Sequence, residues 1–481
     1  MIEADNLQKK GKIKEAIVIT LGILLIIAFG FLNSYFPWYI TLAGLFLAAL
    51  IFILFNKVYW GLLLVAFFLP FERIGALEIG QMTIRLSQIL LIVTTLVWFF
   101  ITIWKREYFL VKNPLLIPLG IFLVINIISL SVAINLNRSL VVLAFIVFTM
   151  SLAFIVPNLI KSKKQVRQIV TVLLIGFGLV AGFGLWQFLG DMSGLPTSLT
   201  GLRDLYTKDV LGFTRVQSTA YEPLYFANYL LLPIAVLLAL YLSGHKAIES
   251  SWLVLLLGLG LVNLILTVSR GGYLAVVFTL LFVALFYMRN ILKPYNIVIF
   301  LIAAAVVGWV VIKALGVGGE VFTLEKFQEH VGGIFYGASY DERVETIDRA
   351  VQAWREHPVL GIGVGSFGPY TAVHPSYVPK DGWKIVNNEY IEILSETGLA
   401  GLFFFILFVV WLLGRSLQAI KKARDEYLKA VMIGLSAALV GILVQYLTFS
   451  TLYIMHIWFL VGLMIAVQNI IFGDSRSKVF F

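Results

Sequence analysis

Apolar runs of about 20 residues, the length that carries a helix across a bilayer, recur along most of this chain and constrain it more than any other feature. They fall near residues 15–33, 37–55, 58–71, 84–104, 114–133, 138–160, 167–189, 223–243, 251–269, 272–289, 295–314, 398–416, 428–448 and 453–472. A segment inside lipid has no water to satisfy its backbone, so runs of this length are expected to coil as helices. Only 13% of the 481 residues are charged, where a soluble domain carries about 25%. The expected fold is therefore all-α and polytopic, with about 12–14 spans, the lower figure applying if the short third run and a neighbour do not cross. The N-terminus is polar and leads straight into a full-length run, so no cleavable signal is expected. Zero cysteines exclude disulfides, thiolate metal sites and a cysteine nucleophile.

The basic residues set an orientation. They gather on alternate connections: KKGKIK at 9–14, Lys57, KRE at 105–107, KSKKQVR at 161–167, Lys246, RNILK at 289–293, the run from Arg415 to Arg424, and RSK at 476–478. Positive loops stay cytoplasmic. Both termini are thus expected in the cytoplasm of a multi-pass protein of the cytoplasmic (inner) membrane, with the long connections near 190–222 and 315–397 outside. The second of these holds 6 Lys and Arg against 12 Asp and Glu. The net charge of +10 is then a topology signal rather than a nucleic-acid footprint. Three regions follow: 1–314 as a transmembrane region with a short external loop, 315–397 as a large, partly helical extracytoplasmic loop, and 398–481 as C-terminal transmembrane helices.

Within the outer loop, Ser339-Tyr340-Asp341-Glu342 has the pattern of a helix capping box. Val344, Ile347, Val351 and Trp354 then form one apolar stripe at helical spacing, and Pro358 ends the helix. The glycines of GIGVGSF (361–367) lack the dinucleotide-binding spacing and follow a helix rather than a strand, so they read as a flexible turn.

Charges at span edges are costly and usually functional. Arg270, in LILTVSRGGYLAVVF (264–278), lies at the outer end of its span by this topology, and Arg215 lies just before the span at 223–243. Guanidinium forks bind phosphate oxygens in pairs and keep their charge, so two of them meeting at headgroup level suit a diphosphate. The glycines after Arg270 would let a headgroup approach the backbone. An arginine at a span end also serves as an interface anchor, and that role weighs more for Arg138, at a span start. Arg343 is a further candidate for the same ligand. Glu222 precedes a span near Arg215 and is either a general base or a carboxylate favoured by a helix N-terminus; Glu396 has the same second reading, since Ser395-Glu396-Thr397 looks like a start signal. His374 is external and a candidate base, whereas His456 reads as a buried, hydrogen-bonded histidine. No HExxH or other metal-ligand spacing occurs, nor a GxSxG element, so neither a metal site, a cofactor nor a serine hydrolase is indicated. Tyr221, Tyr340, Trp354, Tyr370, Tyr377, Trp383 and Tyr390 give the outer region faces that suit sugars or an interfacial belt equally.

Three segments in order resemble the O-antigen ligase and polymerase (Wzy-type) family of membrane glycosyltransferases. RVQSTAYEPLYFANYL (215–230) resembles its arginine-led motif before a span. SRGGYLA (269–275) resembles its Ser-Arg-Gly motif. The stretch from DERVETIDRAVQAWREHPVLGIGVGSF (341–367) to NNEYIEILSETGLAGL (387–402) resembles its helix, its Pro-x-x-Gly-x-Gly turn and its His-Asn motif. The resemblance covers about the C-terminal half. It implies a GT-C-like helical fold and a metal-independent, inverting transfer without a cofactor. A glycan on a polyprenyl diphosphate is the donor, an acceptor sugar hydroxyl attacks, and Arg215 and Arg270 bind the diphosphate. One departure is that Asn387-Asn388 stands where the family has His-Asn. Asparagine takes up no proton at neutral pH. Either His374, Glu222 or Glu389 substitutes as base, or orientation and leaving-group stabilisation suffice, or the chain belongs to a polymerase-like branch with other acid–base needs; Asn387 is kept as a catalytic candidate, and Asn388 and Tyr390 as substrate-binding ones. The competing reading is a transporter or flippase of a lipid-linked saccharide, which would place charges near mid-bilayer and little mass outside.

Overall fold

In the computed structural model, the described residues are 37–79, 82–105, 113–206, 214–245, 248–302, 305, 308, 338–379, 382–450 and 452–473. The expected first span at 15–33, the end of the run at 295–314 and His330 lie outside them. Among the described residues the fold is all-α apart from one two-stranded hairpin. The helices are α1 (Trp38–Asn56), α2 (Tyr59–Phe68), α3 (Leu86–Trp104), α4 (Leu116–Ser129), α5 (Leu136–Met150), α6 (Leu152–Leu159), α7 (Lys163–Met192), α8 (Thr197–Thr200), α9 (Pro223–Ser243), α10 (Ser250–Leu266), α11 (Arg270–Ile291), α12 (Ala338–Glu356), α13 (Phe367–Thr371), α14 (Glu389–Lys422), α15 (Glu426–Gln445) and α16 (Met455–Phe472). The hairpin pairs β1 (Leu77–Ile79) with β2 (Met82–Ile84), Leu77 opposite Ile84. Among the described residues eight segments are long and apolar enough to cross a membrane: α3, α5 with α6, α7, α9, α11, α14, α15 and α16. Four shorter apolar segments add to them: α1, α2, α10, and α4 with the 3-10 turn after it. The third apolar run of the sequence forms only the 10-residue α2. At 1.5 Å per residue it is about 15 Å long, half a hydrocarbon core.

Two compact units divide the chain, one comprising 1–61 and 92–107, the other 62–91 and 108–481. In the first, Phe55 meets Phe100 edge to face at 5.5 Å, and Phe100 stacks on Trp104. The candidate site belongs wholly to the second.

The second unit is organised around α9, which is buried almost throughout and packs on α10, α11 and α15. Small residues permit that closeness: a Cβ on Gly434 of α15 would lie 2.7 Å from Val236 Cα. Helix α16 packs in the same way on α6, where a Cβ on Gly462 would reach Leu152 O at 2.5 Å. Lipid drives no hydrophobic association, so close backbone approach and interhelical hydrogen bonds do the holding. One such chain crosses three helices: His456 Nε2 meets Asn228 Oδ1 at 2.8 Å, and Asn228 Nδ2 donates to Gln445 Oε1 at 2.9 Å.

Two local expectations change. Ser339 already lies inside α12, where a capping residue has non-helical backbone. The fully buried face of α12 is Thr346, Ala350 and Ala353, with Val344, Ile347, Val351 and Trp354 only half-buried beside it. Small side chains let α12 lie close on α14, and the larger ones flank the contact. Helix α14 starts nine residues before the expected span and breaks at Gly398 (φ 67°, ψ −170°). Only glycine adopts that backbone readily, and a Cβ there would strike Val359 O at 2.2 Å.

Gly434→Val should overpack the α9–α15 contact and cost about 1–3 kcal/mol. The check is thermal unfolding of the purified protein in detergent, with Gly414→Ala, at a site with open space, as the control.

Candidate active site

The turn between α10 and α11 builds the first part of the site. Helix α10 ends with Thr267 N–H bonded to Asn263 O, Val268 takes a left-handed φ of 51°, and Ser269 caps α11 by accepting from Gly272 N–H. Arg270 is the first residue of α11 and is half-exposed. The 214–222 loop is pinned to this turn. Val216 N–H donates to Leu266 O at 2.9 Å, and Arg215 Nε donates to Thr267 O at 3.2 Å. Arg215 and Arg270 are thereby close enough for their charges to act on each other. Burial pulls the Arg215 guanidinium below its usual value; Tyr206, Tyr273 and Glu222 counter that, and Arg270 adds to the fall.

A third cation joins from α12. Loss of hydration lowers Arg343, and Arg270 is the next contributor, ahead of the opposing pull of Glu342. The charge of Arg270 therefore acts on both Arg215 and Arg343. Three guanidiniums sharing one region repel one another, and the carboxylates that act on them, Glu222 and Glu342, number fewer than they do. Such an arrangement is stabilised by an anion with several oxygens. The glycines after Arg270 answer to packing rather than to ligand approach: a Cβ on Gly271 would lie 2.1 Å from Thr448 Oγ1, and one on Gly272 would lie 2.9 Å from Ala227 Cβ.

Glu222 occupies the N-cap of α9 but makes no side-chain cap bond. The residue is exposed, yet the protein around its carboxyl displaces enough water to push it up, against the downward pull of Arg203 and Arg215. The other base candidates lie apart from this cluster. His374 is exposed, and among the described residues it makes no hydrogen bond or ion pair with the three arginines. Asn387 has a left-handed φ of 58° and leads into α14. Asn388 caps α14 through Ile391 N–H and donates to Leu447 O, while Tyr390 OH donates to Leu443 O at 2.7 Å. Those two side chains thus tie α14 to the end of α15. Glu389 is buried at the first turn of α14.

A second polar cluster is absent from the sequence reading. GIGVGSF is not a flexible turn. Its residues are buried, and they wrap the Glu396 carboxylate: Gly365 N–H and Phe367 N–H donate to its two oxygens at 2.8 and 3.1 Å. Gly363 N–H donates to Glu396 O, and a Cβ on Gly361 would fall 2.4 Å from Glu396 C. Arg138 Nε donates to Gly365 O at 2.7 Å and lies 5.0 Å from the Trp383 ring. Arg138, Asn126, Glu389, Glu392, Glu396 and Tyr453 line a cavity of about 30 Å³ there. A carboxylate two residues before the first glycine of SETGLAGL, following a glycine-rich loop, was the available signal. Phe367 packs with Ala350 of α12, so the loop also fixes the helix that carries Arg343.

Residues 253–406 match the protein-family model described as O-antigen ligase. That stretch, a minority of the chain, is similar to the O-antigen ligase family. The matched stretch includes Arg270, Arg343, the glycine loop, Asn387 and Glu396; Arg215 and Glu222 precede it. No curated protein matches the chain significantly. An enzyme of this type transfers glycosyl groups, with a lipid-linked glycan as donor and a second molecule as acceptor, and the row of apolar helices makes this one a multi-pass membrane protein.

Glu396→Leu should leave two buried N–H groups without an acceptor and cost about 1–3 kcal/mol for each group orphaned. Hydrogen exchange should show lost protection at 361–367 before it rises elsewhere.

Proposed function

We propose that this protein transfers or polymerises a glycan from a polyprenyl-diphosphate donor onto an acceptor sugar hydroxyl, at the outer face of the cytoplasmic membrane and with both termini in the cytoplasm. The grouping of Arg215, Arg270 and Arg343 carries the reading. The acceptor oxygen attacks the anomeric carbon as the bond from that carbon to the diphosphate oxygen breaks. The electron pair of that bond stays on the diphosphate, and attack from the opposite face inverts the configuration. Negative charge grows on the leaving group, so preorganised guanidiniums lower the barrier more than they stabilise the bound donor. They supply this charge without a metal ion.

The acceptor hydroxyl must lose a proton. Glu222 is assigned as the base because, among the described residues, it is the carboxylate whose charge acts on Arg215. His374 and Asn387 are given no proton transfer; they remain candidates for contacting the glycan, as do Asn388 and Tyr390 and, more remotely, Arg138. An apolar groove of about 580 Å³ supports a lipid carrier. It runs between α9, α10 and α11, from Ile265 toward Ile291. Its upper end adjoins the turn that holds the arginines, since Tyr273 OH donates to Ile265 O at 2.6 Å. A greasy channel beginning under a cationic cluster fits an isoprenoid tail beneath a diphosphate.

In bilayer discs, the protein given a polyprenyl-diphosphate oligosaccharide should release free polyprenyl diphosphate only when acceptor is present. Arg270→Ala and Arg215→Ala should each lower kcat by about 10²–10³, the usual loss on removing one charge-stabilising group. Folded Arg270→Ala protein with full turnover would overturn the assignment, and movement of intact donor across the bilayer without cleavage would favour a flippase.

The pH profile tests Glu222 separately. A raised carboxyl is protonated over more of the mildly acidic range and is lost as a base there. Activity should therefore fall on acidification at a higher pH than an ordinary carboxylate would give, and should plateau above it. Glu222→Gln should remove that limb and lower kcat by about 10²–10⁴.

A further inference from the structure

A second pair of arginines, Arg73 and Arg203, meets the 214–222 loop that also carries Arg215 and Glu222. Arg73, after α2, donates from Nη1 to Gly201 O at 3.0 Å. Arg203, in the 201–206 turn, donates from Nη1 to Tyr221 O at 3.0 Å and lies 5.8 Å from the Tyr206 ring. Gln217, fully buried, joins them: with its amide oxygen turned toward them it accepts from Arg73 Nη1 at 2.7 Å and from Arg203 N–H at 3.2 Å. Each guanidinium has five N–H donors, and these contacts occupy few of them. Glu72, next to Arg73 in the chain, pairs with Arg85 at 3.7 Å and accepts from Tyr221 N–H.

The charges of this pair reach one another and the centre of the site. Arg203 acts on Arg73 and on Glu222, and Glu222 is acted on by Arg215 as well. Arg203 is bonded to the carbonyl just before Glu222, so the carboxylate is acted on by both cationic groups, one of which already has an anion in the transfer reading. We propose that Arg73 and Arg203 form a second anion site that holds a phosphate group carried by the acceptor, presenting the acceptor hydroxyl to Glu222. This inference rests on the transfer reading above, and its class of ligand is a phosphate monoester or diphosphate attached to a glycan, either on the sugar itself or as the headgroup of a second lipid carrier. The geometry explains why two guanidiniums are held in place by backbone carbonyls and a buried amide instead of ranging freely as surface arginines do.

Two measurements test it. Inorganic pyrophosphate titrated into the full-length protein in bilayer discs should bind at two sites. Arg73→Gln with Arg203→Gln should remove one, and Arg215→Gln with Arg270→Gln the other. A single equivalent in the wild type, or two sites retained by the Arg73/Arg203 variant, overturns the proposal without reference to catalysis. In the transfer assay, three acceptors are compared: a neutral oligosaccharide, a soluble phosphorylated one and one on a lipid diphosphate. The Arg73/Arg203 variant should raise KM by about tenfold or more for phosphate-bearing acceptors, one charge-assisted contact being worth about that much, while KM for the donor and for the neutral acceptor holds. A rise confined to the lipid-linked acceptor identifies the carrier headgroup; a rise for both identifies phosphate on the glycan. Equal change for all three acceptors overturns the proposal, and Arg203→Lys should restore part of the loss. Transfer to no acceptor at all would sink the transferase reading, leaving the pyrophosphate stoichiometry to decide the second site.

Discussion

Positive charges repel, and Arg215, Arg270 and Arg343 come together only because backbone geometry holds them. The decisive contact is between the 214–222 loop and the end of α10, where Val216 N–H meets Leu266 O and Arg215 Nε meets Thr267 O. Arg270 opens the next helix three residues later, after a left-handed residue and a serine cap. The cost of gathering these cations is set against the packing of α9, α11 and α15, whose small residues bring the backbones close. An anion bound there relieves the repulsion. In the proposed reading this arrangement stabilises a leaving group as its charge develops.

A second frame fixes the third cation. Helix α12 is held through Phe367 and Ala350 to the glycine loop, and the loop is held by Glu396. Arg138 ties the same loop to α5. Glu396 needs this setting, because a buried carboxylate without donors would be costly. The glycines need it too, since the loop passes within contact distance of the α14 backbone just before the break at Gly398. Structural and chemical roles are divided between the two clusters: guanidiniums with open donors in one, a satisfied carboxylate in the other.

Several candidate residues were legible in the sequence for a simple reason. A charged side chain at the edge of an apolar run stands out, and Arg215, Arg270 and Glu222 are such residues. His456 also read correctly, as a buried histidine with a partner, because an imidazole inside a span must find one. The glycine loop read wrongly. Glycine clusters mark flexibility and close packing alike, and only the partner surface tells them apart; here that surface is Glu396 and Ala133. The glycines of SRGGYLA illustrate the same ambiguity, resolved in favour of Thr448 and Ala227. Arg73 and Arg203 carried no signal, since each sits singly in a polar connection.

By itself the sequence determined that this chain lives in a membrane as a row of helices, because apolar length is a local property that lipid reads directly. It also determined where most helices lie and which arginines flank them. The tertiary structure decided which of those arginines share a space, which helix break serves packing, and which face of α12 is inward. Those outcomes depend on contacts between residues 50 to 230 positions apart along the chain, such as Arg215 with Thr267 and Arg138 with Gly365. No periodicity encodes them; they follow from how close two backbones can come once every other helix has been placed.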